Sequence, residues 1–245
     1  MTVAVLALVL AAYLWGARKG RRRQGWFLAG WATLTIALVG IDSWADRSFA
    51  GHMVQHELIM VVAAPLLVLA RPLGTLLWAF PYIWRRRAGR LLTHPVVRRG
   101  WITVTLPAVA WGVQTVLLWI WHAPALFEAA LETPWIHGLQ HFSFFAGAVV
   151  FWWSIIQRPR GVAILSLFTA AVQSGALGAL LAFSPHSWYS HYAMDDQHLA
   201  GLLMWIPGSA AYLGGALWTT SHYLSADAAA ANNRSLALLV TTQVT

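Results

Sequence analysis

The chain has 245 residues, 59% of them hydrophobic and 10% charged, with no cysteine and a net charge of +8. A soluble domain carries about 25% charged residues, so the composition points to a polytopic membrane protein with one transmembrane domain over 1–245. The missing cysteine excludes disulfides, thiolate metal sites and iron–sulfur clusters. Nucleic-acid binding is excluded by where the basic residues lie, in short segments between apolar stretches, which is an orientation signal.

Seven apolar spans are predicted, in an all-α bundle. The first covers 1–17 and is followed by Arg18, Lys19, Arg21, Arg22 and Arg23. A signal peptide carries its positive charge before the apolar core, so this is read as an uncleaved helix with its N-terminus outside. The second covers 26–41, ahead of Asp42 and Asp46, and the third 51–70, with His52, His56 and Glu57 near its start. Between 71 and 100 stand seven arginines, and the apolar middle is broken by Pro81. The part around 73–90 is expected to be an interfacial helical segment. The remaining spans are 101–121, 137–156, 162–183 and 198–219. A cytoplasmic tail follows over 220–245.

Fifteen of the sixteen Lys and Arg fall in segments this register places inside, and six of the eight acids fall outside. The pattern fixes the expected orientation as N-out, C-in. It also sorts the ten histidines. His94 and His222 fall inside and read as solvated residues. The other eight lie outside or at the outer helix ends.

Histidine is costly in a bilayer and is the commonest metal ligand among side chains. His52 and His56 are four apart, as are His137 and His141, so each pair shares a helix face. His198 opens the last span, one turn after Asp195. Three helices can thus bring His52, His56, His137, His141, His198 and Asp195 to one depth, as one four-coordinate site or two smaller ones. Glu57 and Asp195 serve as ligands or as acceptors for imidazole N–H. Met60 adds a thioether one turn below His56, a combination that suits copper. His122, His186 and His191 are secondary candidates, equally readable as half-wet interface residues. Gln55, Gln140 and Gln197 each precede a histidine and project about 100° away, toward neighbouring helices or loops. Gly175 and Gly178 permit close helix contact. Imidazole binds metal only when neutral, so affinity is expected to fall as pH drops through about 6.5.

A proton relay or a structural hydrogen-bond network is the bland reading of the same histidines. A haem-binding redox protein, with axial histidines on facing helices, is an alternative. A metal-ion or proton transporter is another, weakened by the apolar inner halves of the spans. No phosphate loop, nucleophile elbow or zinc-protease motif is present, so no catalytic residue is expected.

Three stretches carry a family resemblance. They are His52-Met53-Val54-Gln55-His56 running to Pro65-Leu66-Leu67, then His137-Gly138-Leu139-Gln140-His141 with Phe151-Trp152-Trp153, and Asp196-Gln197-His198-Leu199-Ala200-Gly201 with Met204-Trp205-Ile206-Pro207-Gly208. In this order, over about 51–218, the chain resembles the multi-span CtaG-type cytochrome c oxidase assembly proteins. The resemblance implies a multi-pass protein of the bacterial inner membrane, not an enzyme, that supports copper delivery to haem–copper oxidase. Its partners would be oxidase subunits or other copper-handling proteins. With the N-out register, the metal site would face the periplasm.

Overall fold

The computed structural model describes residues 2–18, 23–156, 160–217 and 220–221; most of the expected tail and His222 lie outside them. All regular structure among the described residues is helical. Helix α1 spans Thr2–Ala17 and α2 spans Gln24–Gly40; both are apolar but shorter than the other membrane candidates. Helix α3 spans Phe49–Ala70 and α4 spans Tyr82–Thr93. Then come α5 (Pro95–Val104), α6 (Pro107–Trp121), α7 (Pro124–Glu132), α8 (Pro134–Ile156), α9 (Arg160–Ala182) and α10 (Met194–Leu217).

Four of these helices, α3, α8, α9 and α10, are long and apolar enough to cross a membrane, and a fifth span is obtained if α5 and α6 count together. The expected fourth span, 101–121, is therefore not one straight helix. It bends by 69° between α5 and α6, because Pro107 cannot donate its amide and pushes Leu106 into the extended region. The segment around 73–90 forms two helical pieces, Pro72–Leu77 and α4, separated at Phe80-Pro81, and neither buries a residue.

Proline sets the other boundaries too. Pro124 and Pro134 open α7 and α8, where a missing amide costs nothing. Helix α3 ends at Arg71, whose left-handed backbone (φ 50°) precedes Pro72. Among the described residues three π-helical turns occur: Ile36–Gly40 ends α2, and Leu58–Ala63 and Met204–Gly208 interrupt α3 and α10. Such turns add a residue to the helical ladder and cluster at functional sites. The one in α3 leaves the Met60 carbonyl to accept from Trp152 Nε1 of α8 at 3.0 Å.

Helix α3 is central, packing against α2, α8 and α10. Helices α9 and α10 meet at glycines: a Cβ on Gly178 would lie 2.8 Å from the Gly201 carbonyl, and one on Gly201 would lie 2.5 Å from the Ala182 amide. Gly178 thus does what its sequence position suggested. Gly175 does likewise, with Trp205 and Ser209 against its backbone.

Candidate metal centre

The end of α3 that carries His52 and His56 is pinned before any metal is considered. Ser48 caps the helix, its hydroxyl accepting from the Gly51 amide at 3.2 Å. Asp196 of α10 accepts from the Ser48 hydroxyl at 2.9 Å, from the Ala50 amide at 3.1 Å and from the Phe49 amide. The first turns of α8 present His137 and His141 across from this end. His52 is 1% exposed and His56 4%.

The ring nitrogens of His52, His137 and His141 include three that lie within 4.8 Å of one another. His137 Nε2 and His141 Nε2 are 3.1 Å apart. Two imidazole nitrogens bound to one tetrahedral ion at about 2.0–2.1 Å stand roughly 3.3 Å apart, so this pair needs little movement to share one. His56 joins the cluster, its ring centroid 4.4 Å from that of His52 and 5.2 Å from that of His141. His122, just beyond the end of α6, stands 6.4 Å from His56. Phe127 and Phe144 wall the group, at 5.2 Å from His52 and 4.7 Å from His56.

His52 Nε2 and both nitrogens of His56 are buried without a hydrogen-bond partner. An orphaned buried polar group costs about 1–3 kcal/mol. A metal ion beside this cluster of imidazoles would take up one lone pair from His52 and one from His56, since each neutral ring has a single lone-pair nitrogen. Asp42 and Asp46 place negative charge beside His137. His122 is held neutral at pH 7: burial pushes it down to about 4. Imidazole ligands of this kind suit copper and zinc.

The sequence matches the family of cytochrome c oxidase caa3 assembly factors over residues 11–225. The chain belongs to this family. No curated protein and no solved structure matches it. The matched range holds every candidate ligand of this assembly factor, and it reaches further in both directions than the three resembling stretches.

The assembly factor brings together four of the five expected histidines and leaves the fifth apart. His198 Nε2 contacts the Ser184 carbonyl at 3.0 Å and makes no ring contact with the cluster. Asp195 is exposed in the first turn of α10, and its neighbour Asp196 does the structural work. His186 and His191 are exposed in the loop before α10, where His191 Nδ1 lies 3.4 Å from the Ser190 hydroxyl. Met60 and Glu57 lie deeper, on a small cavity shared with His56 and His122.

The glutamines behave as their offset suggested in two cases. Gln55 donates to the Ala37 carbonyl at 2.7 Å and to Asp42 at 3.2 Å. Gln197 accepts from the Trp188 amide and donates to the His186 carbonyl at 3.2 Å. Two features were missed in the sequence. The first is the Asp196 clamp. The second is the approach of His122 to Met53, with Nε2 3.4 Å from Sδ. The only signal for the second was that both residues end or begin an apolar span on the same side.

Proposed function

We propose that this chain is a non-catalytic, multi-pass membrane assembly factor that holds copper transiently for a cytochrome c oxidase subunit. Copper is its cargo. His52, His137 and His141 form the receiving site and His56 completes it. The observation that carries this reading is the three converging ring nitrogens, with orphaned nitrogens on His52 and His56. Family membership supplies the assembly role.

The topology that goes with it has seven spans, α1 and α2 being the two short ones, with the N-terminus outside and the C-terminus inside. The Lys/Arg distribution supports this orientation. The histidine cluster then faces the periplasmic side of a bacterial inner membrane, where an oxidase receives its outer copper. Helix α4 lies along the inner surface: it is 12 residues long, buries none of them and carries four arginines.

Haem is the weaker occupant. His137 and His141 sit side by side on one helix with nitrogens 3.1 Å apart, whereas axial haem ligands approach from opposite faces of a macrocycle. Metal analysis and an absorption spectrum of the protein purified from its native membrane test the proposal. Copper at about one to two equivalents, without a Soret band, is the expected result. A Soret band with no copper would overturn it.

A further inference from the structure

Below the three-histidine cluster, toward the middle of the bundle, a cavity of about 10 Å³ lies between α3, α6, α9 and α10. That is room for about one water molecule or ion. Its wall combines the thioethers of Met53, Met60 and Met204, the imidazoles of His56 and His122, and the carboxylate of Glu57. Three of the chain's five methionines meet here, although apolar positions in a bilayer can be filled by any aliphatic residue.

The contact between His122 and Met53 is the informative one. His122 Nδ1 lies 2.7 Å from the Leu118 carbonyl. A carbonyl only accepts, so Nδ1 carries the proton and Nε2 of the neutral ring presents a lone pair. Met53 Sδ, itself an acceptor, lies 3.4 Å from that nitrogen. Two electron-pair donors facing each other in a buried site have no hydrogen bond to offer. With bonds of about 2.0–2.3 Å to nitrogen and sulfur, two ligands of one tetrahedral ion stand roughly 3.5 Å apart. A cation between them accounts for the arrangement.

Two further observations point the same way. His56 is 4% exposed, lines the cavity and has no partner at either nitrogen. Glu57 makes no hydrogen bond or ion pair with another described residue. Gly208 makes room for it: a Cβ there would fall 2.7 Å from Oε1. A monovalent cation would balance the charge of this carboxyl on ionisation, and thioether with imidazole selects a soft one.

We infer that this cavity is a second metal site, distinct from the three-histidine cluster, and that it takes a soft monovalent cation of the Cu(I) class through Met53, His122 and Met60, with Glu57 as counter-charge. His56 borders both sites, so an ion can exchange between them without entering lipid. The inference goes beyond the copper-holding reading and stands or falls separately from it.

Ag(I), a redox-inert probe of the same class, tests it on the full chain in detergent or nanodiscs. With methionine methyls labelled by ¹³C, one equivalent of Ag(I) should shift the Met53 and Met60 resonances and leave Met1 and Met194 in place. M53L/M60L, which conserves side-chain volume, should lower Ag(I) affinity at least 100-fold while Cu(II) binding at the three-histidine cluster persists. H137A/H141A should do the reverse. Wild-type methyl resonances that ignore Ag(I) would overturn the inference even if the variant failed to fold. So would unchanged Ag(I) affinity in M53L/M60L. Loss of Cu(II) binding alone in H137A/H141A speaks to the outer site and leaves the inner one intact.

Discussion

Asp196 accepts the backbone N–H of Phe49 across 147 positions of the chain, so the last membrane helix caps the one that carries His52 and His56. Its second oxygen takes the Ala50 amide at 3.1 Å and the Ser48 hydroxyl at 2.9 Å. A carboxylate here also faces the positive end of the α3 dipole.

Asp196→Ala should therefore cost about 1–2 kcal/mol, in the range for losing a helix cap. Asp196→Asn, which keeps one acceptor, should cost less. Because the clamp fixes against α10 the end of α3 that carries His52 and His56, metal affinity should weaken with the same ranking. Thermal unfolding in detergent and a metal titration on both variants check this. Equal stability of the alanine variant and wild type would refute the clamp.

A second tie holds α7 to the loop before α10. The Ser190 amide and hydroxyl donate to Glu128 at 2.8 and 2.7 Å and hold its carboxyl below the usual carboxylate range. A group with a lowered folded-state pKa adds stability above its unfolded pKa and loses it as pH falls through the folded one. The tie should thus be intact at neutral pH and open only below about pH 4.3. Protection of the Ser190 amide from hydrogen exchange, relative to a pH-corrected reference, should fall in that acid range. Glu128→Gln should remove the transition; an identical profile in that variant would show that another group drives it.

The α9–α10 contact leaves no space for a methyl group. On Gly201 a Cβ would meet the Ala182 amide at 2.5 Å and the Gly178 carbonyl at 2.6 Å, and backbone cannot swing aside as a side chain can. Gly201→Ala should destabilise the protein by at least the 1–3 kcal/mol typical of overpacking. Gly214→Ala, with open space at its Cβ position, is the control and should be close to neutral. Urea or thermal unfolding of the pair decides it.

Trp152 donates a buried bond to the Met60 carbonyl, which the π turn and Pro65, with no amide to give, leave without a donor inside α3. Trp152→Phe leaves the Met60 carbonyl without its donor. The expected cost is about 1–3 kcal/mol for the unsatisfied group, together with lost indole packing. A variant as stable as wild type would mean that the carbonyl finds another partner.

How far the sequence reaches is clearest at the histidines. His52 with His56, and His137 with His141, were legible because four-residue spacing fixes a shared helix face whatever the tertiary fold. That the two faces meet was an inference from depth; in the structure the His52 ring stands 5.3 Å from that of His137 and 6.0 Å from that of His141. His198 was placed by the same depth argument and turns to the Ser184 carbonyl instead. Depth gives height in the bundle, not rotation about the helix axis. Asp195 and Asp196 make the same point: adjacent residues diverge by about 100°, and only Asp196 faces α3. The meeting of Met53 with His122, 69 positions apart, depends on the packing of α6 against α8 and on that of α8 against α3. Neither is written in local periodicity.

The central claim is that His52, His137 and His141 together hold copper. Copper stoichiometry measured side by side on wild type, H52A, H137A/H141A and H198A tests it most directly. The three-histidine cluster predicts that H52A and H137A/H141A each lose the histidine-bound equivalent while H198A keeps it. Full copper in H137A/H141A, or a loss in H198A equal to that in H52A, would contradict it.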